Sequence, residues 1–178
     1  MRSAHVIFEG IDRCGKSSMV EKMQAETGWD TYKMRVPTTL QESGEFYDLH
    51  LNQIRQSDRP SIWDRGLLSE LVYGYLYRPQ ECPAWYRRQL IERTKLPSEL
   101  PIVVVYIYPL YDSLLLPDDR RFASRDEELH QYDHAYMAVH WLKVSMSKHT
   151  IRNGGAAWKN RGESWEELRL KLEDVIGP

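Results

Sequence analysis

The sequence has little cysteine, two in 178 residues, and neither falls in a Cys-x-x-Cys pair or a Cys/His cluster. Two cysteines cannot build a disulfide framework, and the lack of such pairs and clusters argues against a cysteine-built zinc site. Long apolar runs are also missing. Although 42% of residues are hydrophobic, no stretch approaches the ~20 that span a bilayer, so no membrane partner is expected. Net charge is small as well: 24 Lys and Arg against 26 Asp and Glu give −2, which leaves no global attraction to nucleic acid. No repeat, low-complexity tract or Gly/Ser linker interrupts the chain, and residues 1–178 read as one domain. The N-terminus runs into a strand-like stretch with no charged leader, so the expected compartment is the cytoplasm.

What is present alternates between strand and helix. Ala4 to Phe8 reads as a short buried strand, Lys16 to Glu26 as a helix closed by Gly28, and Thr31 to Arg35 as a strand stopped by Pro37. Phe46, Leu49, Leu51 and Ile54 lie close to a helical stripe, and Ser61 to Asp64 follows as a third strand. Leu67 to Tyr77 and Ala84 to Thr94 read as helices parted by Pro79 and Pro83. PIVVVYIY, Pro101 to Tyr108, is the strongest strand signal, a continuous run suited to a sheet covered on both faces. Asp126 to Met146 reads as one long helix and His149 to Arg152 as the last strand. Ser164 with Glu167 makes a capping box before a helix lined by Trp165, Leu168, Leu172 and Val175. The pattern predicts an α/β fold in three layers, a parallel sheet of about five strands flanked by helices. Ligands of such sheets bind at the carboxyl ends of the strands. Three polar clusters fall there: Gly10 to Ser18, Arg35 to Thr39 and Asp64 to Ser69.

The first cluster, Gly10-Ile11-Asp12-Arg13-Cys14-Gly15-Lys16-Ser17-Ser18, matches G-x-x-x-x-G-K-[ST] between a strand and a helix. Glycine permits positive φ and close approach, so successive N–H groups can turn inward on phosphate oxygens. Lys16 would reach the β and γ phosphates, Ser17 would ligate Mg²⁺, and the helix N-terminus favours the anion. ATP and Mg²⁺ are the cofactors this implies. Cys14 reads as a spacer.

Phe8-Glu9-Gly10-x-Asp12-Arg13-x-Gly15-Lys16-Ser17 resembles the first motif of thymidylate kinases, P-loop deoxynucleoside monophosphate kinases that pass the γ-phosphate of ATP to dTMP. RVPTT, Arg35 to Thr39, resembles the family's Arg-Glu-Pro-Gly-Gly-Thr, and WDRGLLSELVYG, Trp63 to Gly74, its Asp-Arg-Tyr-x-x-Ser-x-x-Ala-Tyr-Gln. The resemblance covers residues 4 to 140 and implies a P-loop kinase fold with a lid over about 117–126. By resemblance, Arg13 spans the donor phosphates, and Asp12 meets the sugar hydroxyl or orients Arg13. Glu9 is an outer-shell Mg²⁺ or sugar contact, or an ordinary strand-end carboxylate. Arg35 and Arg65 clamp the acceptor phosphate, Asp64 holds Mg²⁺ through water, Ser69 and Tyr73 line the acceptor site, and Arg121 and Arg125 belong to the lid. Planar guanidinium forks suit this work, because phosphoryl transfer is mostly positioning and charge neutralisation. Each of these residues also has a plain reading: surface charge for Arg13 and Arg35, a turn aspartate for Asp12, a buried Asp64-Arg65 pair, packing for Tyr73.

The sequence departs from the family where the base would be read. Gly66 replaces tyrosine, Gly74 replaces glutamine and Val36 replaces glutamate. Phe46 is left to stack on a base or to pack in the core. The expected partner is a small-molecule nucleotide, with a homodimer and DNA as acceptor kept open. A free deoxynucleoside or a hydroxymethyl pyrimidine in DNA is the alternative acceptor. A nucleotide switch would need a guanine-reading Asn-Lys-x-Asp, which does not occur. The short span between Arg35 and Asp64 suits a compact viral member, whose compartment would be the host cytoplasm.

Overall fold

Buried β-branched and aromatic runs make the strands of the computed structural model, which describes residues 4–12, 14–78, 80, 82–95, 102–109, 124–138, 142–148 and 165–176. The strands are β1 (His5–Glu9), β2 (Asp30–Lys33), β3 (Ser61–Asp64), β4 (Ile102–Pro109) and β5 (Leu142–Lys148). All pair in parallel, in the order β2-β3-β1-β4-β5. Val6 to Phe8 and Val103 to Ile107, on the inner strands β1 and β4, are at most 3% exposed. A strand covered on both faces has no reason to alternate, which is why PIVVVYIY does not. The β2 edge is instead polar and exposed at Asp30, Thr31 and Lys33, as an unpaired edge tolerates.

Seven α-helical segments are described: α1 (Lys16–Thr27), α2 (Leu40–Gln56), α3 (Leu67–Ser69), α4 (Tyr75–Tyr77), α5 (Ala84–Lys95), α6 (Arg125–Ala138) and α7 (Trp165–Ile176). A π-helical turn, Glu70–Gly74, joins α3 to α4. None of the described helices is long and apolar enough to cross a membrane. Gly28 ends α1 at φ 68°, in the left-handed region. Thr39 starts α2 by accepting the Glu42 N–H at 3.1 Å. Trp165, Leu168 and Leu172 bury the face of α7 against the core.

Two elements differ from the sequence reading. The long helix expected to Met146 ends at Ala138, and Leu142–Lys148 is strand β5 on the β4 edge. Leu142, Val144 and Met146 alternate with Lys143, Ser145 and Ser147, a period of two that the helical reading passed over. His149 to Arg152 lies outside the described residues. In α2 the buried row is Ser43, Tyr47, Leu51 and Ile54, while Leu49 is exposed. The helix starts six residues earlier than expected, and its i, i+4 row selects Tyr47 over Phe46. The Tyr47 hydroxyl donates to the Leu90 carbonyl at 3.1 Å.

Candidate functional site

The glycine-rich turn leaves the carboxyl end of β1 and enters α1. Gly10 has φ 137°, and a Cβ there would stand 2.5 Å from the Ile107 carbonyl oxygen of β4. Only glycine lets the turn lie this close to the sheet. Gly15, at φ 90°, occupies the N-cap of α1. Lys16 is buried, and its Nζ turns back across the loop to donate to the Ile11 carbonyl at 2.5 Å. Ser17 Oγ donates to Asp64 Oδ2 at 2.8 Å, across the β1–β3 pairing, and Lys33 Nζ lies 3.6 Å from the same oxygen. These groups, with Ser18, line a cavity of about 290 Å³. A hydroxyl beside a carboxylate is a donor set that fits Mg²⁺, a hard ion that takes one or two protein oxygens and fills its shell with phosphate and water.

Asp12 and Arg65 form an ion pair at the edge of this cavity. Arg65 adopts φ 70°, the only described non-glycine residue with positive φ, a strained conformation that persists only when surroundings hold it. Its Nη1 donates to Tyr132 Oη at 2.9 Å, Ser69 Oγ at 3.2 Å and the Gly10 carbonyl at 3.3 Å. The guanidinium also lies 4.8 Å from the Tyr73 ring centre. Burial works against the charge, but Tyr132, Tyr73 and Glu9 outweigh it and raise the pKa. Asp12, expected at a sugar hydroxyl or beside Arg13, is ion-paired to Arg65. The Asp64-Arg65 pair is likewise replaced, since Asp64 bonds Ser17 and Arg65 bonds Asp12.

Glu9 is the last residue of β1, a strand-end carboxylate. Fully buried, it accepts the N–H groups of Gly66 at 2.9 Å, Leu68 at 3.0 Å and Ser69 at 3.3 Å, and the Ser69 hydroxyl at 2.6 Å. It therefore caps the helical stretch that begins at Leu67. Burial pushes its carboxyl up, against the hydrogen bonds and Arg65.

A second cavity, about 450 Å³, opens on the other side of the same ion pair and is lined by Asp12, Arg35, Arg65, Ser69 and Tyr73. Arg35 is 72% exposed, 3.0 Å from Glu42 and 4.2 Å above the Phe46 ring. Phe46 lines neither cavity and serves as a platform for Arg35. Arg78, Glu70, Tyr77, Met34, Val36 and Pro37 complete the wall, and the sequence reading had assigned none of them. Arg78 donates to the Pro37 carbonyl at 2.8 Å and to Glu70 Oε2 at 2.6 Å, while Glu70 Oε1 accepts from Ser43 Oγ at 2.5 Å. Arg78 carries no local signal; the π-helical turn at Glu70–Gly74, a device common at functional sites, precedes it by a few residues. Tyr77 and Tyr73 stack with centroids 5.7 Å apart, and Tyr77 donates to Glu128 of α6. Burial raises the Glu128 pKa against the Tyr77 hydrogen bond and the charges of Arg65 and of Arg125, which opens α6. Arg125 lines neither cavity. Arg13, Arg121 and most of the expected lid lie outside the described residues.

Two of the three departures, Gly66 and Gly74, lie where a Cβ would be crowded. A Cβ at Gly66 would stand 2.7 Å from Ile7 Cγ2, and one at Gly74 would stand 2.9 Å from Glu70 Oε1 and 3.0 Å from Cys82 Sγ. A side chain at either position requires its neighbours to shift.

No protein-family model matches the chain, and no curated protein matches its sequence. Solved structures do. The YorR protein of Bacillus subtilis, solved in complex with phosphorylated GDP, is 16% identical over 97% of this chain and 95% of its own, with a TM-score of 0.60. Thymidylate kinase from Ehrlichia chaffeensis is 14% identical over 99% of this chain and 100% of its own, with a TM-score of 0.57. Thymidylate kinase from Candida albicans is 14% identical over 98% and 91%, with a TM-score of 0.53. At these identities the likeness establishes a shared fold.

Proposed function

We propose that the chain transfers the γ-phosphate of ATP to a deoxynucleoside monophosphate, dTMP or a related pyrimidine nucleotide. One observation carries this reading: two cavities meet at the Asp12–Arg65 pair, one built on the phosphate-binding loop and the other lined by arginines. A reaction between two anionic substrates needs such a junction, with cations on both sides and the groups in line. In this reading Lys16 and the N–H groups of Gly10 to Ser18 hold the donor phosphates. Ser17 and Asp64 would hold Mg²⁺, which would supply charge neutralisation on the donor. Arg65, fixed by Ser69 and Tyr132, presents its fork where the two substrates meet. Arg35 turns to the acceptor phosphate at little cost, because solvent screens an exposed ion pair such as Arg35–Glu42. Tyr73 packs beside the acceptor sugar. Arg13, Arg121 and Arg125 are assigned to the transferred phosphoryl group. The thymidylate kinases among the similar folds support the acceptor class.

The test is direct. The protein is incubated with ATP, Mg²⁺ and, in separate arms, each dNMP, each deoxynucleoside, and duplex DNA with hydroxymethyl pyrimidines. ADP and a deoxynucleoside diphosphate are expected in the pyrimidine dNMP arms, and Lys16→Ala abolishes them. Turnover confined to the nucleoside or DNA arms overturns the acceptor; no turnover in any arm overturns the reaction.

A further inference from the structure

His130 and His134 take no part in the proposed reaction. They stand one turn apart on the exposed face of α6. Their ring centroids are 4.3 Å apart and their planes are inclined by 53°, so the rings lie side by side, tilted rather than stacked flat. The opposite face of the helix buries Glu128 and Tyr132, and Tyr132 reaches Arg65. The histidine pair therefore faces away from both cavities.

Residues four apart on a helix are neighbours, and a neutral imidazole offers one unprotonated nitrogen. Nitrogen donors suit borderline ions such as Zn²⁺, Ni²⁺ and Cu²⁺, whereas Mg²⁺ takes oxygen. The helix backbone already holds the two rings together, so a metal bound by one meets the second at high effective concentration. Asp126 lies a further turn back on the same exposed stripe. Among the described residues no group of three His, Cys, Asp or Glu is assembled, so water completes the shell. We propose that His130 and His134 form a two-imidazole chelate for a borderline divalent cation, separate from the Ser17–Asp64 oxygens.

The experiment titrates untagged full-length protein with NiCl₂ and ZnCl₂ at about pH 7.5. Wild type is expected to take up one equivalent that excess MgCl₂ does not displace. His130→Ala and His134→Ala should each weaken it roughly 100-fold, the loss expected when the tethered second ligand is removed. Nickel should raise the melting temperature of wild type and leave both variants where they are. Turnover with ATP and Mg²⁺ should be the same in all three. Equal nickel affinity in wild type and His134→Ala overturns the site, as does wild type that binds no nickel.

Discussion

Arg78 is held at two points, the Pro37 carbonyl and the Glu70 carboxylate, with 15% of its side chain exposed and 1% of that of Glu70. Removing one partner of such a pair strands the other charge in a poorly solvated place. Arg78→Ala is therefore expected to lose about 3 kcal/mol of stability, read as a lower urea midpoint. Arg78→Lys should recover part of it, because an ammonium keeps the charge but cannot bond Pro37 and Glu70 together as the fork does. A loss in Arg78→Ala below about 1 kcal/mol would mean that solvent reaches Glu70 and that the pair behaves as a surface one. At this scale the sequence was legible where chemistry demands a residue type in a fixed local pattern: Gly10, Gly15, Lys16 and Ser17 all lie where the motif places them. It was illegible where partners are distant. Asp12 and Arg65 were both singled out, but their pairing depends on a positive φ at Arg65 that no glycine announces.

The helical stretch from Leu67 to Tyr77 begins without a cap of its own, since Gly66 has no side chain to offer. Glu9 supplies the missing acceptor from the end of β1, on the adjacent strand. That arrangement fixes the start of the helix to the phosphate-loop strand and so sets where Ser69, Tyr73 and Arg78 stand. Glu9→Ala leaves three buried N–H groups unpaired and is expected to cost on the order of 2 kcal/mol or more. Hydrogen exchange should quicken at Gly66, Leu68 and Ser69 before it does in β4; unchanged protection there would show that the cap is dispensable. Elements were readable in the sequence where one signal dominates, the unbroken apolar run of β4 or the helical period of α7. The α6–β5 region failed because Leu142 and Met146 satisfy both a four-residue spacing and an alternation, and only pairing with β4 decides between them.

Acid should loosen the whole fold through His50. Its ring packs edge-on against Trp63 with centroids 4.9 Å apart, and its Nδ1 has no hydrogen-bond partner among the described residues. Burial lowers its pKa from 6.5 to about 4. A histidine with a depressed folded pKa stays neutral in the native state while the unfolded chain takes up a proton. Stability is therefore intact above 6.5 and lost as pH falls from there towards 4. By pH 5 the loss is about 2 kcal/mol. His5 is lowered in the same direction by burial, but it is paired to Ser61 at 2.8 Å. Glu9 and Glu128 oppose both: burial raises their carboxyls, so the native state takes up protons there first and gains stability as pH falls. The total pH profile mixes these signs, and a comparison isolates one. Urea unfolding of wild type and His50→Leu at pH 7.5 and pH 5 should give a wild-type loss larger than that of the variant by about 2 kcal/mol. Equal losses in the two proteins would mean that His50 is protonated in the folded state, and that water or an anion reaches the α2–β3 contact it occupies.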